Sequence, residues 1–142
     1  MPNKATKSRN KCHFMSLFKD VFGKSEQDDA SSKVAWRQLT DLGELNVMVS
    51  ESAEKPVLLF KHSTRCAISR MVLKQFERDY NLDDAIIPYF LDLLQHRDIS
   101  NEIANRFEVQ HQSPQVIVIK EGKTVYNASH ESINVIILKD FI

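Results

Sequence analysis

Scarcity of cysteine sets the first limits on this chain. Its 142 residues include two cysteines, Cys12 and Cys66. One bridge at most can form, which excludes the disulfide-dense scaffold of small secreted domains. No Cys/His cluster exists at ligand spacing, so no metal site is expected, and His96 and His111 stand without ligand partners. A surplus of charge is also missing, since Lys+Arg and Asp+Glu number 19 each. That balance argues against a nucleic-acid binder, whose footprint would be cationic. No apolar run approaches the length needed to span a bilayer, so no membrane partner is expected. Residues 1–14 are basic and polar, with no apolar core segment following them, so no secretory signal is visible. The expectation is a cytoplasmic protein with reduced thiols. Without secretion, the sequon Asn127-Ala128-Ser129 carries no meaning. Internal repeats and low-complexity blocks are absent as well.

What is present suits one modest domain: 42% of residues are hydrophobic and 27% charged. Residues 1–33 read as an N-terminal extension and 34–142 as the domain proper. In the extension, Lys4, Lys7, Arg9 and Lys11 form a basic tail without acids, expected to be disordered. Leu17, Phe18, Val21 and Phe22 then share one face of a short helix ending at Gly23, followed by a polar linker. Met15 is an alternative start, which would make residues 1–14 an upstream artefact.

The domain alternates strands and helices. Trp36 and Leu39 mark a short first strand. A helix follows over 41–53, capped by Asp41 with Glu44 as reciprocal partner. Leu42, Leu45, Met48, Val49 and Ala53 fall on its apolar face. After Pro56, the continuous run Val57-Leu58-Leu59-Phe60 predicts a strand buried on both faces. The second helix runs over about 67–80, with Ile68, Val72 and Phe76 spaced by four and joined by Met71 and Leu73. A third strand covers 86–92 with Pro88 near its start. A third helix begins at Asp98 or Ser100 and carries Ile99, Ile103 and Phe107. Val116–Ile119 and Thr124–Tyr126 form a hairpin turning at Gly122. The last helix is capped by Ser129 or Ser132 and carries Ile133, Ile136, Ile137 and Phe141. The order β-α-β-α-β-α-β-β-α implies an α/β fold with a central mixed sheet. Its early strands are parallel, its C-terminal hairpin antiparallel, and helices cover both faces.

Cys66 sits where the second strand hands over to the second helix. A thiol there faces the helix's first N–H groups, which favour the thiolate, the nucleophilic form. Arg65 adds a cation beside it. The alternative is a small buried core cysteine. Ser69 follows by three residues, where a C-x-x-C enzyme would hold its second cysteine. A hydroxyl cannot form a disulfide, so Cys66 depends on a second molecule. Ser69 either donates a hydrogen bond to Cys66 or satisfies nearby backbone. His62 either tunes the thiol or sits solvated at the strand end. Cys12 is either a resolving thiol on a swinging tail or uninvolved.

The element order, the cysteine at the second helix and the proline before the fourth strand resemble the thioredoxin fold over residues 34–142. The local run from Lys55 to Ser69 resembles the monothiol bacilliredoxin family, the bacillithiol-system redox-active proteins. Phe60-Lys61-His62-Ser63-Thr64 and the Cys66-x-Ile68-Ser69 core carry that likeness, with Ser113-Pro114 and Glu121-Gly122-Lys123 agreeing downstream. The chain departs from the usual family motif, Thr-Cys-Pro-Ile-Ser, in that Arg65 and Ala67 replace the Thr and Pro. Ala67 is a good helix former, so the geometry should survive. The resemblance implies Cys66 and Ser69 as catalytic residues, and Ser113, Pro114, Thr64 and Arg65 as substrate-binding residues. It also implies a cis peptide at Ser113-Pro114 and no bound cofactor. Bacillithiol is then the co-substrate, and the partners are bacillithiolated client proteins and a low-molecular-weight thiol. Two other readings stay open: a monothiol glutaredoxin-like enzyme using glutathione or another small thiol, and a non-catalytic thioredoxin-like binding module.

Overall fold

Six consecutive residues, Val57–His62, form a strand with every side chain buried. A strand alternates its side chains between two faces, so such a run needs cover on both sides. The computed structural model describes residues 32–142. The basic tail, Cys12 and the amphipathic helix expected within 15–24 lie outside the described residues. Around the buried strand, β2 (Val57–His62), stand β1 (Arg37–Gln38), β3 (Ile87–Asp92), β4 (Gln115–Lys120) and β5 (Lys123–Ser129). Their spatial order is β1-β3-β2-β4-β5. The first three are mutually parallel, and β4 and β5 add antiparallel pairs. The helices are α1 (Leu42–Glu51), α2 (Ala67–Asp79), α3 (Arg97–Arg106) and α4 (Val135–Leu138). The expected element order is therefore present.

The two faces of the sheet carry separate cores. Val57 and Leu59 of β2 pack with Leu45 and Met48 of α1 and Ile99 and Ile103 of α3. Leu58 and Phe60 pack with Phe76 of α2 and Val135 and Leu138 of α4. Phe60 is completely buried, and Trp36 meets it edge-on at 5.8 Å between ring centroids. Trp36 also stacks on Phe76 and bonds Glu77 through its indole N–H, which ties α2 to the sheet.

Local chemistry sets the element ends. Asp41 caps α1 by accepting the Glu44 N–H at 2.9 Å. The reciprocal bond differs from the expected one: the Glu44 carboxylate takes the N–H of Thr40 rather than that of Asp41. Thr40 also offers its hydroxyl to the same carboxylate, a second donor that Asp41 lacks. The helix stops at Glu51, and Ala53 is exposed. The stop is enforced by Ser52, whose carbonyl accepts the Glu121 N–H and whose hydroxyl accepts the Gly122 N–H. These bonds fasten the β4–β5 turn to α1. Glu121 and Gly122 have φ of 53° and 75°, as a two-residue hairpin turn of matching twist requires.

Three expected apolar faces are met in part, with some of their positions exposed. In α2, Phe76, Val72 and Leu73 face the core as expected, but Ile68 and Met71 are exposed and Ser69 is buried. In α4, Ile136 and Ile137 are exposed, and Val135 and Leu138 point inward. Its cap is Asn134, which accepts the Ile136 N–H, rather than Ser129 or Ser132. In α1, Leu45, Met48 and Val49 face the core as expected, and Leu42 is exposed. The third helix begins at Arg97, one residue before Asp98, and Ser100 lies buried inside it. Pro88 fits β3 because the Ile87 N–H turns toward β2, bonding Pro56 O. The next N position therefore faces the other edge, where β1 pairs only residues 89 and 90.

Replacing Asp41 with Ala should cost about 1 kcal/mol, the usual loss for an N-cap side chain. Urea melts of Asp41→Ala should show a lower midpoint with an unchanged slope.

Candidate functional site

At the C-terminal end of β2 the chain turns through residues 63–66 and enters α2. Cys66 is the N-cap of α2, with extended backbone angles and no side-chain capping bond. Its N–H bonds Ser63 O at 3.2 Å, and its carbonyl accepts the Arg70 N–H at 3.1 Å. The thiol is free and half-buried. Thr64 and Arg65 before it, and Ala67 and Ile68 after it, are exposed. A nucleophile held between a fixed turn and a helix start, open on one side, is a presentable one.

Ser69 and His62 form the floor beneath this turn. The Ser69 hydroxyl accepts the Ser63 N–H at 3.1 Å and lies 2.8 Å from His62 Nδ1. Of the two roles considered for Ser69, the bonds show the backbone-satisfying one. It braces the turn on which Cys66 is carried and ties that turn to the imidazole of His62. His62 is buried rather than solvated, which corrects the expectation of a hydrated strand end. The reason is that β2 runs two residues past the apolar stretch, so α2 covers its tip. Burial holds His62 below the ordinary histidine range; the carboxylates of Asp92 and Glu77 oppose this and Arg70 reinforces it.

The register pairs Lys61 with Gln115 across β2 and β4. Ser113 and Pro114 thus precede β4 at the end of the sheet where β2 leads to Cys66. The Ser113-Pro114 peptide is cis. Pro114 is buried and its carbonyl accepts the His130 N–H at 3.0 Å. The Ser113 hydroxyl oxygen is buried without a hydrogen-bond partner.

One set of polar residues escaped the sequence reading. Lys61 is entirely buried. Its Nζ lies 3.0 Å from His111 Nδ1 and 3.3 Å from Gln115 Oε1. Ser100 Oγ is 3.2 Å from the same His111 nitrogen. Burial pushes Lys61 down to about 8. His111 is also lowered, by burial first and then by the charges of Lys61 and Arg97. The available signal was a lysine placed directly after a both-faces-buried strand run. Among the described residues, no three His, Cys, Asp or Glu side chains converge as a metal set would. No helix among them is long and apolar enough to cross a membrane.

The five-stranded sheet, the cysteine at the start of α2 and the cis-proline before β4 define a thioredoxin-fold protein. Solved structures agree. A candidate oxidoreductase with a thioredoxin fold is 32% identical, covering 72% of this chain and 89% of its own, with a TM-score of 0.64. Mitochondrial thioredoxin 3 of Saccharomyces cerevisiae shares the fold at 19% identity and a TM-score of 0.61, over 79% of this chain and 97% of its own. Malassezia sympodialis thioredoxin does so at 15% and 0.60, over 78% and 90%. Residues 37–138 match the model of the monothiol bacilliredoxin BrxC family. The chain belongs to that family, and its function is monothiol redox chemistry.

Replacing Ser69 with Ala strands a part-buried N–H and a buried imidazole nitrogen. The expected loss is about 1–3 kcal/mol, measurable by urea denaturation. His62 carries a pH signature. Its folded value lies below the unfolded one of about 6.5, so the unfolded chain binds more protons between them. Stability should therefore fall as pH drops from about 7 to about 5. His111 contributes in the same direction. Melts of His62→Gln across this range should show a shallower fall; an unchanged fall would remove His62 as its source.

Proposed function

We propose that this protein removes bacillithiol from protein mixed disulfides through Cys66. The observation that carries the reading is the half-buried thiol at the α2 N-cap with a serine, already bonded elsewhere, at the third position after it. Family membership supports the same chemistry. The Cys66 thiolate attacks the bacillithiol sulfur of a bacillithiol–client disulfide. That S–S bond breaks, the client sulfur leaves as a thiolate and takes a proton, and Cys66 carries bacillithiol as a new disulfide. A second thiolate, small or from a reductase, attacks the bacillithiol sulfur and releases Cys66. The exchange conserves the number of disulfides at each step, so no bound cofactor is required.

In this reading Thr64 and Arg65, exposed beside Cys66, and the backbone of Ser113-Pro114 receive the mixed disulfide. Ser69 acts indirectly, by bracing the 63–66 turn, and His62 acts through Ser69. Bacillithiolated proteins and a low-molecular-weight thiol are the partners, and the reducing cytoplasm is the setting.

Incubation with a bacillithiolated test protein should transfer one bacillithiol to Cys66, visible as a mass adduct, and free the client thiol. Cys66→Ser should reduce transfer to background. Transfer from glutathione mixed disulfides alone would favour the glutathione-using enzyme. An unreactive Cys66 would leave a binding module.

A further inference from the structure

Lys61 is a charged side chain in a place built for an apolar one. It follows Leu59 on the face of β2 that packs against α1 and α3, and it is fully buried. Placing an ammonium among neutral partners is unfavourable, and a hydrocarbon of similar volume would pack there without that penalty. Something other than stability therefore explains its geometry. Its two bonds go to His111 and Gln115. These residues flank Ser113-Pro114, one two positions before Ser113 and the other directly after Pro114. Gln115 in turn donates its amide N–H to Gln110 O at 3.0 Å, which closes the loop at its beginning. Ser100 of α3 meets the same His111 nitrogen at 3.2 Å.

We propose that Lys61 is a positioning residue for thiol exchange: its buried ammonium grips both flanks of the Ser113-Pro114 turn and fixes the backbone edge against which a disulfide substrate lies. His111, itself exposed, covers the ammonium from water and transmits its hold to the loop. The Cys66 thiol stands on the other side of β2, on the helix whose core face is shared with Phe60. Lys61 thus acts on how the substrate is received and not on the thiol. The consequence for exchange rests on the function proposed above; the anchoring of the loop does not.

The test uses Lys61→Met in the full chain. Hydrogen–deuterium exchange over 110–115 should quicken several-fold, with the other strands unchanged. Alkylation of Cys66 by iodoacetamide should stay within about twofold of wild type, because the thiol is untouched. Exchange with a protein mixed disulfide should fall about tenfold, carried by a higher KM rather than a lower kcat. His111→Ala, a change at an exposed residue, should repeat this pattern more weakly and serves if Lys61→Met does not fold. Loop uptake equal to wild type overturns the proposal, as does an exchange rate that falls only in step with alkylation. If the wild type exchanges with no disulfide, the function proposed above fails, and loop uptake alone decides the anchoring.

Discussion

Burial of β2 on both faces is the constraint on which the rest depends. Because this strand is central, with β3 on one side and β4 on the other, its six side chains have nowhere to go but into two cores. Helices α1 and α3 must cover one face and α2 and α4 the other. The tip of β2 then lies beneath the start of α2, and the turn-to-helix junction there carries Cys66, half-buried between exposed neighbours. The site is a consequence of where a buried strand ends.

That same burial forces polar groups at the strand tip to find partners. His62 goes to one face and bonds Ser69; Lys61 goes to the other and bonds His111 and Gln115. The two residues stand next to each other in the chain but serve different halves of the site. One braces the turn that carries the thiol. The other is tied to the loop that carries the cis-proline. A buried polar group left unpaired is expensive, so each tip residue is locked to its partners, and the partners are locked to it. Rigidity at a reactive centre follows without any added disulfide or metal among the described residues.

Much of this was legible in the linear chain. Asp41 three residues before Glu44, Gly122 between two apolar runs and the unbroken Val57–Phe60 stretch each state a local requirement that the structure meets. Cys66 at a strand-to-helix junction was legible for the same reason. The facing of α2 was legible only in part: Val72, Leu73 and Phe76 do face the core. Ile68 and Met71 have the spacing of a core stripe, yet they are exposed and Ser69 is buried. Periodicity reports that a helix has an apolar side but weighs every residue by its own polarity. It does not register that Ser69 has an N–H and an imidazole waiting for it below. Nor does it reveal that Ser52 ends α1 early because the β4–β5 turn, some seventy residues later, needs its oxygen atoms.

The sequence by itself determined the order of strands and helices, the turn at Gly122 and the single thiol at the head of α2. These depend on neighbours within a few residues, where propensity, capping and alternation act. Only the tertiary structure decided that His62 is dry, that Ser69 faces inward, and that Lys61 bonds residues fifty or more positions away, at and just before the start of the neighbouring strand β4. Those outcomes depend on which surface lands against which, and a polar side chain buried by a distant element takes whatever donor or acceptor that element brings.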